Sequence, residues 1–417
     1  MHQSAKSAVA AEWRIGWPVV LATFFGFSFL SLMAGSLSVF MEPLGREFGW
    51  SRTTLSLGMS LSNGISAFLS PVFGLAIDRF GSRRVALPGL VLTMLAIAAF
   101  SLLDGTLTQW VAFWAVYAFV SITVKATVWT AAVAGFFDKG RGLAMGLTLC
   151  GTAASQAILP PLAVWLIDTV GWRLAYVWLS FGWGGLTFAL CWCFLKDARK
   201  VLPVRRSEGN VNPAEASVPG LTRAQAWRNP ALVRIAVSTL IVMTVTGGLN
   251  LHQIQILTAT GVSRTNAAWL ASMAGIAGIA GKLITGTLMD RYRPNWVGGA
   301  TLGATTLAFA FLVDGVASPV VIVVAMLVNG YTAGTKMQIC GYLTARYGGL
   351  RHFGAIYGGM NSLIVLGTGL GQILAGATFD LTGAYTLFLI VGAVGCAGCG
   401  LLLVTLPAYP EWEKPEE

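Results

Sequence analysis

The chain has 417 residues, of which 55% are hydrophobic and only 11% are charged, and its mean hydropathy is +0.71. Soluble domains carry about 25% charged residues, so this composition excludes an ordinary soluble protein. A bilayer permits it, because a helix needs ~20 apolar residues to cross a hydrocarbon core ~30 Å thick. A net charge of +10 would suggest nucleic acid in a soluble protein. In a membrane protein, positive charges instead mark the segments on the cytoplasmic side, so we expect no nucleic-acid partner.

Twelve apolar segments, here named TM1 to TM12, are separated by short charged clusters. We predict helices over 17–41, 53–77, 84–103, 107–136, 141–167, 172–195, 230–259, 265–289, 295–313, 318–345, 353–379 and 384–406. Between TM6 and TM7, residues 196–228 contain three prolines and several charges, which is typical of a flexible linker. The sequence therefore predicts an all-α membrane protein with two six-helix bundles, 1–195 and 229–417, joined by that linker.

The positions of the basic residues predict the orientation of the chain. If the N-terminus is cytoplasmic, most of the 27 Lys and Arg fall in cytoplasmic segments. Those on the opposite side are Arg46, Arg52, Arg173 and Arg264. This bias is a strong positive-inside pattern. We expect a multi-pass protein of the inner membrane, with both termini and the linker in the cytoplasm.

The chain also repeats itself at a shift of 212 residues, which places Gly49 on Gly261. The same shift superposes three further pairs of strings: Ser51-Arg52-Thr53 on Ser263-Arg264-Thr265, Asp78-Arg79 on Asp290-Arg291, and Asp168 with Gly171 on Asp380 with Gly383. Shared glycines alone would carry little weight in a chain with 50 of them. The matched charged strings indicate two parallel halves, with a substrate path where they meet.

Three lysines fall in the middle of predicted helices: Lys125 in TM4, Lys282 in TM8 and Lys336 in TM10. Inserting a lysine near the centre of a spanning helix costs about 2.5–3.5 kcal/mol on insertion scales. No Asp or Glu lies deep in a predicted helix to neutralise these lysines. Such charges normally face a watery cavity, where an anionic substrate would be their natural partner. The alternative is that the long side chains reach the cytoplasmic interface.

Polar side chains of TM7 and TM11 are the other candidates for lining a cavity. They are Asn250, His252, Gln253 and Asn361. Because histidine titrates near pH ~6.5 and no carboxylate lies deep in a helix, His252 is the leading candidate for proton coupling. The alternatives are that His252 only bonds within the bundle, and that a lysine or the substrate itself carries the proton.

Gly74-Leu-Ala-Ile-Asp78-Arg79-Phe-Gly81-Ser-Arg83-Arg84, between TM2 and TM3, resembles a loop signature of the major facilitator superfamily. Phe48 to Arg52 and Phe136 to Gly146 look like strings of the monocarboxylate transporter family and its bacterial oxalate/formate exchanger relatives. That resemblance implies alternating-access transport of small carboxylates, with a proton or by exchange. It places Lys282 at a substrate-binding cation of TM8, and Gly278 where some members have an aspartate.

The same resemblance implies a cytoplasmic gate formed by charged residues. These are Asp78, Arg79, Arg83, Arg84 and Arg141 in the first half and Asp290 and Arg291 in the second. The alternative is a charge cluster that only fixes topology.

We therefore predict a secondary transporter of small organic anions, most simply a proton-coupled symporter of monocarboxylates that works as a monomer. An anion exchanger and a drug or metabolite exporter are the alternatives. An enzyme would need clustered His, Asp or Glu, whereas His2, His252 and His352 lie in separate regions. The sequence lacks GxxxxGK[ST], the phosphate-binding loop of many ATPases, and we expect no cofactor and no metal.

Overall fold

The computed structural model describes residues 2–137, 140–196, 220–313, 318–349 and 351–410. Within these ranges the structure describes the backbone, but not the side chains, of residues 2–11, 70–78, 134–135, 141–142, 223 and 290. The side chains of Asp78, Arg141 and Asp290, three residues of the predicted gate, therefore lie outside it.

The helices of the first half follow the predicted segments. They are α1 (His2–Leu30), α2 (Leu32–Phe48), α3 (Arg52–Phe80), α4 (Ser82–Ala99), α5 (Leu107–Ser121), α6 (Ala126–Phe136), α7 (Arg141–Trp178) and α8 (Gly184–Phe194). Short 3₁₀ turns end α4 at Phe100–Leu102 and α5 at Ile122–Val124, and a π-turn, Leu179–Trp183, precedes α8.

Two predicted segments of the first half are not single helices. TM1 is interrupted at Ser31, between α1 and α2, and TM4 is interrupted at Lys125, between α5 and α6. TM5 and TM6 are joined through Gly171, whose φ of 80° and ψ of 160° break the helical path. Glycine is suited to that left-handed φ because it has no Cβ, so Gly171 marks the turn between the two crossings.

The second half begins with a short helix, α9 (Arg223–Ala226), at the end of the linker. The remaining helices are α10 (Pro230–Ala259), α11 (Arg264–Arg291), α12 (Pro294–Phe311), α13 (Pro319–Gly348), α14 (Phe353–Thr382) and α15 (Thr386–Val404). Proline at the first position of α10, α12 and α13 suits a helix start, where a backbone N–H would lack a partner in any case.

In the described part of the chain, nine runs are long and apolar enough to cross a membrane. One of them, Leu143–Phe194, contains both TM5 and TM6. With α3 and α12, which match TM2 and TM9, the helices account for the twelve predicted crossings. The prediction of an all-α membrane protein with twelve spanning helices is confirmed.

The chain divides into two compact units. Unit 1 comprises Met1–Trp50, Leu57–Arg205 and Arg264–Gly275; unit 2 comprises Ser51–Ser56, Arg206–Ser263 and Ile276–Glu417. In unit 1, α1 and α2 pack on α7, and an aromatic cluster of Phe100, Trp110, Trp114 and Tyr176 fills the interior. In unit 2, α10 packs on α14 and α12 packs on α15.

Glycines set the close approach of α10 and α14 in unit 2. A Cβ on Gly371 would overlap the carbonyl oxygen of Thr244, and one on Gly247 would lie 2.9 Å from the Thr368 backbone. Small residues at such crossings let two backbones approach closely, which is how helices associate where no hydrophobic force drives them together. This contact fixes the position of α10, which carries the polar residues predicted for TM7.

Candidate anion-binding site

Lys336 of α13 is held by a neighbouring helix of unit 2. Its Nζ donates to Thr246 Oγ1 of α10 at 2.6 Å. The Thr246 hydroxyl in turn donates to Val242 O at 2.5 Å, so its oxygen is oriented to accept from the ammonium group. Thr246 is 1% exposed and Lys336 is half-buried. One of the three N–H groups of the ammonium is thus engaged by a neutral partner.

A second hydrogen bond joins the same two helices. Asn329 Nδ2 of α13 donates to Asn250 Oδ1 of α10 at 3.1 Å. Asn329 is 1% exposed, and its Oδ1 is buried with no hydrogen-bond partner among the described residues. Asn250 is half-buried. We call Thr246, Asn250, Asn329 and Lys336 the polar strip.

The charge of the polar strip has no compensation among the described residues of unit 2. Arg46, Arg173 and Arg264 form ion pairs with Glu42, Glu47 and Asp168, and none of these pairs involves Lys336. No described carboxylate lies within ion-pair distance of Lys336. A buried charge without a partner is costly unless something neutralises it, so the strip is chemically suited to bind an anion.

Lys125 belongs to unit 1 and Lys282 to unit 2. The prediction that Lys125 lies inside a helix is wrong: its backbone is extended, with φ −71° and ψ 171°, at the start of α6. The 3₁₀ turn that ends in Val124 precedes it, so the helix changes course at this residue. Among the described residues, no ion pair involves the Lys125 side chain. Lys282 is half-buried on α11 and interacts with another residue.

His252 is fully buried in unit 2 and bonds through both ring nitrogens. Nε2 lies 2.8 Å from Ser56 Oγ and 3.1 Å from Gln372 O, and Nδ1 lies 3.0 Å from the Tyr385 hydroxyl. A carbonyl oxygen only accepts, so Nε2 carries the proton and Nδ1 accepts from Tyr385. Ser56 Oγ donates to Arg52 O, which leaves its oxygen to accept from His252.

The other two polar residues predicted to line a cavity stand apart from the polar strip. Gln253 is half-buried on α10 and Asn361 is exposed on α14. Neither side chain has a hydrogen bond to a described residue. Their roles stay predictions.

The repeated charged strings make matching contacts at the starts of α3 and α11. In unit 1, Arg264 Nη1 donates to Asp168 Oδ1 at 3.2 Å. In unit 2, Asp380 accepts from the backbone N–H groups of Arg52 and Thr53, at 3.0 and 2.8 Å. Asp380 thereby caps the start of α3, where the helix dipole favours a negative charge. Both aspartates thus contact the first residues of a helix that begins with the Ser-Arg-Thr string.

In unit 1, Arg83 caps the end of α8. Its Nη1 donates to Leu195 O and its Nη2 to Trp192 O, at 2.5 and 2.7 Å. These carbonyls belong to the last turn of TM6, which otherwise lacks partners. Arg79, Arg84 and Arg291 are exposed. Arg83 therefore connects the start of TM3 to the end of TM6, and its part in a gate stays a prediction.

A model of the major facilitator superfamily matches residues 23–258 and 235–417. The chain belongs to this superfamily. It is a membrane transporter, as predicted, and not an enzyme. Its resemblance to the monocarboxylate transporter family is also confirmed by its relatives.

The chain is similar over nearly its whole length to monocarboxylate transporters of vertebrates. It is 27% identical to monocarboxylate transporter 13 of Bos taurus over 403 residues, which covers 94% of this chain and 90% of that protein. It is 25% identical to monocarboxylate transporter 4 of Gallus gallus over 440 residues, covering 96% and 85%.

Two solved structures share the fold. The nucleoside transporter NupG aligns with a TM-score of 0.72 and 12% identity over 94% of this chain and 98% of that one. A bacterial homolog of the human lysosomal transporter Spinster, inward-facing and unoccupied, aligns with a TM-score of 0.66 and 14% identity over 95% and 94%. At this identity the two structures show the fold alone.

Proposed function

We propose that this transporter carries small monocarboxylate anions together with a proton by alternating access, and that Lys336 binds the carboxylate. The observation that carries the proposal is the Lys336 ammonium, which a buried threonine holds and no described carboxylate neutralises. A carboxylate would accept from the two remaining N–H groups in charge-assisted bonds, which are stronger than neutral ones. The relatives named as monocarboxylate transporters support the same substrate class.

Two further features support the proposal of alternating access in the cytoplasmic membrane. Asp168 and Asp380 are related by the internal repeat, and both hold the first residues of a helix at its outer end. Repeat-related contacts of this kind suit a carrier that releases one face while it closes the other. The positive-inside pattern supports cytoplasmic termini and an inner-membrane location.

The substrate and the mode of transport are tested together in proteoliposomes. We expect labelled butyrate to accumulate when the interior is more alkaline than the exterior. We also expect vesicles preloaded with unlabelled butyrate to take up label transiently, which is the signature of one site exposed to each side in turn. Uptake of drugs without any carboxylate uptake would replace this proposal with the exporter. Exchange with no response to a pH gradient would favour the anion exchanger.

Proton coupling gives His252 a specific role. A proton added to Nδ1 would remove the acceptor that Tyr385 now uses, so the hydroxyl would have to turn. That change would reach Ser56 and the start of α3 through the bonds of Nε2. We expect His252→Gln to flatten the pH profile of uptake, from about tenfold between pH ~5.5 and ~7.5 to less than about twofold.

The matched control for this variant is His352→Gln, which removes an exposed histidine outside the network. It should keep the wild-type profile. Counterflow at a single pH reports whether each variant is folded and active. A wild-type pH profile in an active His252→Gln transporter would assign the proton to another group.

A further inference from the structure

The two hydrogen bonds that join α10 and α13 in the polar strip show the same pattern of burial. In each, a residue that is 1% exposed holds one that is half-buried: Thr246 holds Lys336, and Asn329 holds Asn250. The inner member of each pair is neutral and fixed, whereas the outer member retains N–H groups. Lys336 keeps two of them, and the Nδ2 of Asn250 donates to no described residue.

The register of α10 and α13 places the two outer members side by side. Thr246 and Asn250 are four residues apart on α10, and Asn329 and Lys336 are seven apart on α13, so each pair shares one helix face. Side chains four residues apart have Cβ atoms about 5–6 Å from each other. Since the pairs bond across the same helix contact, the amide of Asn250 lies about one helical turn from the ammonium of Lys336.

We propose that Asn250 is a second contact for the transported anion and that Asn329 is the positioning residue for it. This inference rests on the proposed function, in which Lys336 holds the carboxylate. Asn329 Nδ2 donates to Asn250 Oδ1, and this bond orients the Asn250 amide so that its N–H groups remain available. In the proposal, these N–H groups donate to a second oxygen of the anion, about 5–6 Å from the carboxylate of the anion.

A competing explanation is that the asparagine pair only joins two helices, as amide bonds in membrane proteins do. The unpartnered Asn329 Oδ1 argues against it, since an amide selected only to join helices would be expected to have both ends satisfied. The two explanations differ in one measurable quantity, the dependence of affinity on an oxygen placed at the right distance from the carboxylate.

The experiment compares butyrate, 2-hydroxybutyrate and 4-hydroxybutyrate as competitors of labelled butyrate uptake. The hydroxyl of 4-hydroxybutyrate lies about 5 Å from the carboxyl carbon in the extended chain. For the wild type we expect 4-hydroxybutyrate to bind about fivefold more tightly than butyrate, the effect of one neutral hydrogen bond. 2-Hydroxybutyrate should bind like butyrate, because its hydroxyl is too close to the carboxylate to reach Asn250.

Asn250→Leu and Asn329→Leu should both bring the affinity for 4-hydroxybutyrate, divided by the affinity for butyrate measured on the same variant, to about one. The matched control is Thr332→Val. It removes a buried hydroxyl from the same helix, one that donates only to carbonyls of its own turn, Val328 O and Asn329 O. Thr332→Val should keep the wild-type ratio.

If the wild type bound 4-hydroxybutyrate and butyrate equally well and still transported butyrate, the second contact would be overturned. The asparagine pair would then serve only to hold α10 and α13 together. The full ratio in Asn329→Leu with its loss in Asn250→Leu would overturn the positioning role alone. Absence of any butyrate competition in the wild type would instead overturn the proposed function, and this inference with it. If a leucine variant does not fold, Asn250→Ser and Asn329→Ser give the same comparison with less added volume.

Discussion

Replacing Lys336 with methionine is expected to weaken carboxylate binding about 10- to 100-fold. Hydrogen bonds to a charged group contribute about 1.5–3 kcal/mol each, and the substitution removes the one described cation that faces Thr246. Methionine has a similar length and no charge, so it fills the space of the lysine stem. Thr246 keeps its bond to Val242 O and is not left unsatisfied. The measurement is competition of labelled butyrate uptake at a fixed pH gradient.

The same substitution is expected to leave the folded protein at least as stable. An uncompensated lysine in a spanning helix costs about 2.5–3.5 kcal/mol on insertion scales, and methionine does not have this cost. Lower affinity with undiminished thermal stability therefore separates a substrate-binding lysine from a structural one. Lys196→Met is the matched control, since Lys196 is exposed just after α8. Wild-type affinity in Lys336→Met would remove Lys336 from the site.

The sequence predicted the helices well because their signal is physical and local. The boundaries of TM7 are those of α10 itself, 230–259, and the other helices of the second half differ from their predictions by three residues at most. The breaks at Ser31 and Lys125 were not predicted, because an apolar run looks the same whether its helix is continuous or interrupted at one residue. Hydropathy reports the membrane and not the course of the helix inside it.

The candidate site was only partly predictable for a related reason. A lysine in a spanning helix is visible in any sequence, so Lys336 was identified from it. Thr246 and Asn329 were not, although Thr246 lies one turn before Asn250 and Asn329 two turns before Lys336. Threonine and asparagine occur commonly in membrane-spanning helices, so their presence alone says little about a binding site. Their importance comes from the partner each one contacts across two helices.

His252 shows the opposite case, in which the residue was identified and its surroundings were not. The sequence indicated a lone histidine in an apolar helix. The structure adds that it is fully buried and bonded to Ser56, Gln372 and Tyr385. These partners come from three different segments of the chain, and none has a spacing that relates it to His252. Only the folded structure brings them together.

Replacing Gly371 with alanine is expected to destabilise unit 2 by about 3 kcal/mol or more. The added Cβ would overlap the carbonyl oxygen of Thr244, and the Thr244 Cα would lie only 2.9 Å away. These are backbone atoms of α10, so α10 and α14 would have to separate, and overpacking of a tight contact typically costs about 1–3 kcal/mol and sometimes more. Displacement of α10 would also move Thr246 and Asn250, so binding should fall together with stability.

Gly358→Ala is the matched control on the same helix. No atom lies within 4 Å of the Cβ that it would add, and alanine is the better helix former by about 1 kcal/mol. We expect this variant to be as stable as the wild type or slightly more so. Thermal unfolding of the purified protein, followed by its tryptophan fluorescence and by size-exclusion chromatography, measures both. Equal stability of the two variants would show that the approach of α10 and α14 does not depend on glycine, and the close packing proposed to fix the polar strip would then be wrong.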